Sequence, residues 1–532
     1  MKYGVERRNG VAGAILVAVL SSLSACGGGG GGDGNNNASG GGNTPADWTP
    51  GEFLPSSRFA AQCESPRGGI DPFTLQPWPD VAGSTVDENN WLRSWSNELY
   101  LWYGEIEDVD PAAYSTFEYF DLLKTFATTP SGAPRDQFHF TYPTDDWIAL
   151  SQSGVSAGYG AQWTVIADLP PREVLVAYTE PGSPATDAGL ERGAEVLAVD
   201  GIDLVNSNDV DPLNAGLWPG SADEDHSFTI RDLDSGQTRI VTMRSVNVTS
   251  TPVQNVRTIA TAAGTVGYML FNDHIATAEQ GLIDAIAQLD AAQVTDLVLD
   301  IRYNGGGYLD IASELGYMIA GSAAAGRTFE EQRFNDKHPV TNPVTGVPLV
   351  PLEFHSTTQG FSTPAGQPLP TLDLSRVIVL TGPDTCSASE AIINSLRGVD
   401  VEVIQIGSTT CGKPYGFYPA DNCGTTYFSI QFKGVNAKGY GDYTDGFTPS
   451  DVGSGDAAVQ GCSVPDDFTH ALGDIEEARL STAVRYLEGF DCAPARTLSA
   501  DALRESGSAS RLAAVDGRLT KSPWLQNRIL RR

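Results

Sequence analysis

A run at 297–301 that is apolar except for Asp300 passes directly into the glycine-rich segment DIRYNGGG at residues 300–307. A largely apolar run that ends in turn residues is typical of a strand buried on both faces of a parallel sheet. Helical periodicity precedes this run at 278–289 and follows it at 309–319. The alternation of helix and strand predicts an α/β domain built on a parallel sheet.

Two more largely apolar runs repeat the pattern. The run at 377–380 leads to Ser-Ala-Ser-Glu, which begins at Ser387, and the run at 401–406 leads to Gly412-Lys413. In an α/β fold, the loops that follow the carboxyl ends of the strands carry the functional residues. We therefore expect these three loops to form one site.

Ser387 and Lys413 are the candidate catalytic pair. A serine at a strand-to-helix turn presents its hydroxyl, while the amides of the first helical turn face any oxyanion that forms. Lys413 follows a buried-type strand and a glycine, where loss of hydration favours the neutral amine that a general base requires. Taken singly, the serine is an ordinary helix cap and the lysine an ordinary surface residue, so the prediction depends on the pair. A histidine base stays open, because six histidines are scattered without a motif: His139, His226, His274, His338, His355 and His470.

The first 25 residues predict an export signal. Lys2, Arg7 and Arg8 precede an apolar run at 11–20, which is too short to span a bilayer as a helix of ~20 residues. The sequence Leu-Ser-Ala-Cys, ending at Cys26, resembles the lipobox of bacterial lipoproteins, and this resemblance implies a lipid on Cys26. The alternative is an ordinary signal peptide with Cys26 as a bystander. We expect a protein anchored to a bacterial membrane, facing the periplasm or the cell exterior.

Six further cysteines are an even number in a compartment that permits disulfides, so up to three bridges are expected. No Cys-x2-Cys spacing occurs, and neither a metal site nor a cofactor is predicted. Cys386, beside Ser387, is either bridged to Cys411 or a buried thiol, and the pairing stays open. The six are Cys63, Cys386, Cys411, Cys423, Cys462 and Cys492.

The charge of the chain excludes a class of partner. Among 532 residues, 66 are acidic and 33 basic, a net charge of −33, whereas nucleic-acid-binding proteins present a basic surface.

A chain of this length also predicts several domains, since single cores stop growing beyond ~250–300 residues. The segment 493–532 departs from the rest of the chain, with eight basic and three acidic residues.

Short β-branched runs separated by glycine turns fill the region between residues 151 and 246. Gly-Tyr-Gly-Ala at 158–161, Gly-Ser-Pro-Ala at 182–185 and a Val-Asp-Gly turn ending at residue 201 follow in an order that resembles a PDZ domain. The resemblance implies that a peptide C-terminus adds as a strand and that a glycine-containing loop binds its carboxylate. The predicted loop residues are Gly158, Tyr159, Gly160 and Ala161.

The pair of Ser387 and Lys413, together with the glycine-rich segment and the PDZ-like module, resembles the S41 peptidases, the tail-specific or carboxyl-terminal-processing proteases. The resemblance covers roughly residues 85 to 490. It implies that Ser387 is the nucleophile, that Lys413 is the general base, and that the oxyanion hole uses the amide of Gly306 or Gly307 together with that of Ala388. Many members carry glutamine or glutamate four residues after the lysine, whereas this chain has Phe417.

The sequence predicts a multidomain α/β protein with a catalytic domain of the ClpP/crotonase-like type. The expected activity is that of an exported serine endopeptidase that needs no cofactor and acts on polypeptides, recognised in part through their C-termini. An inactive peptide-binding lipoprotein and a different serine hydrolase on the same fold are the alternatives. The expected parts are a signal peptide (1–25), a Gly/Asn-rich linker (26–50), a helical region (51–150), a PDZ domain (151–250), a catalytic domain (251–492) and a basic tail (493–532).

Overall fold

A computed structural model describes residues 48–71, 75–233, 235–492 and 528–529. The expected signal peptide, the lipidation site at Cys26 and most of the linker and basic tail lie outside these residues. Within the described ranges, no helix combines the length and the apolar character that crossing a membrane requires.

A six-stranded sheet, here called the catalytic sheet, organises the second half of the chain. Its first strand is antiparallel to its neighbour and the other strands run parallel, which confirms the α/β prediction. The apolar runs read from the sequence are its central strands. In spatial order the strands are Val253–Thr261, Gly264–Phe271, Asp296–Asp300, Arg376–Thr381, Glu402–Gly407 and Gly461–Ser463.

Helices cover both faces of the catalytic sheet. Successive strand residues point to opposite faces, so Leu297 and Leu299 enter one core cluster while Val298 enters the other. Full burial of each such side chain stabilises the fold by about 1.5–3 kcal/mol. Three helices pack on the first face, Ala278–Ala291, Leu309–Ala320 and Ala388–Gly398, and Ala478–Leu487 packs on the second.

Residues 155–249 form a β module with a core of its own. Its main sheet places Ala161–Ala167 at one end of the strand order, next to Glu173–Thr179. The other strands of that sheet are Glu195–Val199, Ile202–Asp203, Asp225–Arg231 and Thr238–Arg244; Val155–Gly158 pairs with Val246–Thr249, and the helices are Pro184–Asp187 and Val210–Leu217.

The N-terminal region contains a helix at Thr85–Leu99, capped by Ser84, which accepts a hydrogen bond from the Asp87 N–H. The apolar periodicity of the sequence continues to Trp102, but the helix ends at Leu99 because Tyr100 turns to extended geometry and the Leu101 N–H donates to Ile430. Two more helices follow, Thr116–Leu122 and Thr144–Ser153.

Small sheets link this region to the catalytic domain. Phe140–Pro143 joins Thr425–Phe428 and Ala420–Asn422, and a second sheet joins Leu352–Glu353, Thr328–Phe334, Phe432–Val435 and Tyr415–Gly416. The remaining short pairs are Gln62–Cys63 with Val81–Ala82, Thr448–Pro449 with Ala458–Val459, and Gly307–Tyr308 with Arg528–Ile529.

Candidate active site

Three loops meet at the carboxyl edge of the catalytic sheet: the glycine loop (302–307), the nucleophile loop (382–387) and the lysine loop (408–413). The nucleophile loop bonds to both others, since the Cys386 N–H donates to the Asn304 carbonyl at 3.1 Å and the Cys411 N–H donates to the Thr385 carbonyl at 3.0 Å. A disulfide between Cys386 and Cys411 joins the nucleophile and lysine loops covalently. The structure therefore brings together the three loops that the sequence singles out.

Ser387 stands immediately before the helix Ala388–Gly398 and is fully buried. Its backbone has φ 59° and ψ −110°, in the left-handed half of conformational space that residues with a side chain seldom occupy. Such a conformation costs about 1–3 kcal/mol and persists only where the surroundings enforce it. This geometry makes the turn between strand and helix sharp.

Glu390, in the first turn of the same helix, joins the nucleophile loop and the lysine loop. Its carboxylate is buried and accepts the N–H of Ser387 at 2.9 Å and the N–H of Lys413 at 2.8 Å. It also accepts the Gly412 N–H at 2.9 Å and the Thr410 hydroxyl at 2.5 Å. Burial raises the pKa of this carboxyl above its usual range, and the donors around it act in the opposite direction.

Lys413 is fully buried and enclosed by aromatic rings. Its Nζ lies 4.6 Å from the centre of the Phe138 ring and 4.7 Å from that of Phe417. Phe417 thus occupies the position where the resemblance expects an amide or a carboxylate, and it meets the lysine with a ring face. A ring face attracts a cation through its quadrupole, so it supports the protonated amine without accepting a conventional hydrogen bond.

The glycine loop is built around Asn304. Its side-chain oxygen accepts the Gly306 N–H at 3.0 Å and lies 2.9 Å from Nδ1 of His274, which therefore donates. Gly307 has φ 133°, and a Cβ there would lie 2.5 Å from the His274 carbonyl, so close backbone approach requires glycine. Of the two predicted oxyanion donors on this loop, Gly306 has its N–H engaged by Asn304.

Comparison with known proteins identifies the domain that holds these loops. Residues 265–417 match the family model Peptidase family S41. This chain contains an S41 peptidase domain. The match begins in the second strand of the catalytic sheet and ends at Phe417, so it includes Ser387 and Lys413.

Curated relatives of the S41 domain are carboxyl-terminal-processing proteases. One from Picosynechococcus is 29% identical over 220 residues, which cover 41% of this chain and 52% of that protein. One from Synechocystis is 24% identical over 168 residues, 32% of this chain and 38% of that protein. The chain thus spans about half the length of the first relative and a smaller share of the second.

The crystal structure of a Bacteroides fragilis protein assigned to the S41 proteases has the same fold. It superposes with a TM-score of 0.54 at 22% identity and covers 77% of this chain and 98% of its own. The similarity therefore extends beyond the S41 domain into the rest of the molecule.

Arg302 anchors the glycine loop of the S41 domain from beneath. Its guanidinium bonds to Asp300, Glu477 and Asp466 at 2.7–3.0 Å and is fully buried. Burial alone would raise the pKa of Asp466, but three guanidiniums, those of Arg479, Arg302 and Arg192, hold it well below its usual range. Arg192 belongs to the β module, so one buried carboxylate connects that module to the loop of the S41 domain.

The six histidines of the sequence have partners away from the Ser387 hydroxyl. His274 lies behind the glycine loop, where burial lowers its pKa to about 3, so it stays neutral. His139 is buried against Phe120, and burial lowers its pKa to about 4. The other four bond to neighbouring acceptors: His226 to Asp200, His338 to the Glu98 carbonyl, His355 to Asp310 and His470 to Asp467.

The described cysteines form three disulfides: Cys63–Cys423, Cys386–Cys411 and Cys462–Cys492. Two of these pairs lie close to a carboxylate, Glu88 in one case and Glu390 in the other, at metal-ligating distance. A disulfide offers no thiolate, so neither group is a cysteine metal site in this oxidised form.

The predicted PDZ loop connects two strands of the β module. Gly158 ends the first strand, Ala161 begins the second, and Gly160 between them has φ 74°. The Tyr159 and Gly160 carbonyls accept N–H groups from Ala185 and Glu180, at 2.9 and 2.7 Å. These bonds fix the loop at the end of the strand Ala161–Ala167.

Proposed function

We propose that this protein is a serine endopeptidase that cleaves polypeptides through Ser387 and Lys413. The observation that carries the proposal is the common bond of both residues to Glu390, inside the region that matches peptidase family S41. A single buried carboxylate sets the distance between the nucleophile backbone and the base backbone. This arrangement suits catalysis, which depends on fixed relative positions of the reacting groups.

The mechanism follows from the positions of these groups. Neutral Lys413 takes the hydroxyl proton as the Ser387 oxygen attacks the scissile carbonyl, and the face of the Phe417 ring stabilises the positive charge that develops on Nζ. The N–H groups of Ala388 and Gly307 are the proposed donors to the oxyanion. Lys413 then returns the proton to the leaving amine, and water hydrolyses the acyl-enzyme with Lys413 again as base.

The β module is proposed to bind the C-terminal segment of a substrate as a PDZ domain. The strand Ala161–Ala167 stands at the end of its sheet, and the helix Val210–Leu217 packs beside it through Trp163, whose indole N–H donates to the Leu217 carbonyl at 3.0 Å. A peptide that adds to this strand would lie along the helix, with its carboxylate at residues 158–161. The buried contacts of Arg192 connect this module to the glycine loop.

Export and lipid anchoring at Cys26 complete the proposal. Three disulfides in the described residues agree with an oxidising compartment, and the lipobox-like sequence precedes a segment rich in glycine and asparagine. The enzyme would act on polypeptides outside the cytoplasm, close to a membrane.

Cleavage of a reduced and alkylated protein tests the proposed activity. We expect Ser387→Ala and Lys413→Ala each to lower kcat by at least about 1000-fold, with circular dichroism unchanged. Lys438→Ala is the matched control, since Lys438 is an exposed lysine that bonds to Asp400. Equal activity in wild type and both site variants would refute the catalytic pair, whereas activity lost only in Ser387→Ala would indicate another base.

A further inference from the structure

The glycine loop is followed by a short strand whose edge is occupied by a distant part of the same chain. Gly307–Tyr308 pairs in parallel with Arg528–Ile529, with Gly307 opposite Arg528 and Tyr308 opposite Ile529. Arg528 and Ile529 also lie against Tyr415–Gly416, the strand that begins two residues after Lys413. Residues 528–529 therefore contact both the strand that follows the glycine loop and the strand that follows the lysine loop.

The burial of the catalytic residues agrees with an occupied site. Ser387 and Lys413 both have 0% exposure, and residues 303–308 are buried as well. A protease that acts on long polypeptides has to admit an extended chain to its nucleophile. In this structure the edge at which such a chain would add is paired with residues 528–529.

Charge provides an independent reason for the C-terminal segment 493–532 to associate with the rest of the protein. Residues 493–532 carry eight basic and three acidic side chains, whereas residues 1–492 carry 25 basic and 63 acidic ones. Opposite net charges raise the local concentration of the segment at the surface of the folded domain. Strand addition itself uses main-chain hydrogen bonds, which any residue except proline supplies.

We propose that the Gly307–Tyr308 edge is the subsite that binds an extended polypeptide as a parallel strand, and that residues 528–529 of this chain occupy it in the resting protein. The ligand class is an unstructured peptide segment held by its backbone. The tail then competes with substrate, so the full-length chain is a self-inhibited form of the enzyme. The inhibitory part of this inference rests on the proposed function, while the binding part does not.

The activity test compares full-length protein with a chain that ends at Asn527, after intact mass has shown residues 528–532 in the full-length sample. We expect truncation to raise the initial rate of cleavage at low substrate concentration by about fivefold or more. The reason is that substrate no longer has to compete with the tail for the subsite. Ile529→Pro should reproduce this increase, since proline cannot donate to a ladder, and Ile529→Ala is its matched control. Equal rates in all four proteins would overturn the inhibitory role.

The binding test does not depend on catalysis. A synthetic peptide with the sequence of residues 527–532 is added to the truncated protein carrying Ser387→Ala, and hydrogen exchange is followed in the segment 303–310. We expect the peptide to slow exchange there and its Ile-to-Pro version to leave exchange unchanged. No protection by either peptide would overturn the subsite, whereas protection without any cleavage by the active truncated enzyme would refute the proposed function and leave the subsite standing.

Discussion

Ser387 and Lys413 donate their backbone N–H groups to the same atom, Oε2 of Glu390, at 2.9 and 2.8 Å. The other oxygen of this carboxylate accepts the Gly412 N–H and the Thr410 hydroxyl. One of these four donors lies in the nucleophile loop and three lie in the lysine loop. Glu390 therefore holds the backbones of Ser387 and Lys413, the proposed catalytic pair, and we infer that it positions both.

Glu390→Gln tests that role. An amide group has one acceptor oxygen, so it places an NH₂ donor against at least one backbone N–H and leaves buried N–H groups unsatisfied, at about 1–3 kcal/mol each. We expect kcat to fall by about 100-fold with KM changed far less, as for a misplaced catalytic pair. Glu331→Gln, at a half-exposed carboxylate paired with Arg333, is the control. Wild-type kcat in Glu390→Gln would show that the loops keep their positions without the carboxylate.

The Cys386–Cys411 disulfide fixes the same two loops. Replacing both cysteines by alanine should lower the free energy of unfolding by about 3–4 kcal/mol, as expected for a closed loop of this size. It should also lower kcat, because the nucleophile and lysine loops lose their covalent link. The Cys462–Cys492 disulfide closes a loop of similar length, so replacing both of its cysteines by alanine should cost similar stability and leave kcat near the wild-type value. Equal losses of kcat in the two double variants would contradict a specific role at the site.

Phe417→Leu removes the ring face beside the Lys413 Nζ. The positive charge that develops on the lysine during proton transfer loses a cation–π contact, which is worth about 0.5–2 kcal/mol, or roughly 2- to 30-fold in kcat. Phe428→Leu is the matched control, because Phe428 packs against Phe417 in the same core at a ring distance of 5.3 Å. Steady-state kinetics of both variants measures the difference, and an identical decrease in both would mean that packing alone explains it.

Glu314 predicts a pH-dependent stability. Burial and the neighbouring Glu279 raise the pKa of Glu314 from 4.5 to about 9, so the folded protein keeps a proton that the unfolded chain releases. The free energy of unfolding should therefore fall as pH rises from about 4.5 to about 9, by up to about 1.4 kcal/mol per unit. In Glu314→Gln this contribution should be absent, since a glutamine is neutral throughout. Urea unfolding at pH 5 and pH 8 measures the slope, and the same slope in wild type and variant would exclude Glu314 as its source.

The central strands and the three loops of the site were predictable from the sequence. Buried parallel strands are largely apolar in sequence, and a serine and a lysine that follow two such strands are brought to one edge by the topology itself. The runs at 297–301, 377–380 and 401–406 each match a strand within one or two residues. Element ends depend on contacts beyond the local pattern: the first long helix ends at Leu99, where the Leu101 N–H donates to the distant residue Ile430.

Contacts between distant segments were not predictable. Glu390 reads as the last letter of a motif, and only the fold shows that Gly412 and Lys413 bond to it. His274 carries no motif, and its partner Asn304 lies 30 residues away. The sequence shows Phe417 at the position where many S41 peptidases carry glutamine or glutamate. Whether its ring lies against Lys413 depends on packing rather than on local pattern.

The Cys63–Cys423 bridge spans a sequence separation of 360 residues, from the N-terminal region to the small sheet beyond the lysine loop. The polypeptide is therefore a closed covalent ring over most of its folded length. A single cut at any exposed loop within that ring changes the number of chain ends without releasing a fragment. Such a molecule keeps Ser387, Lys413 and the β module on one covalent body when a protease nicks it.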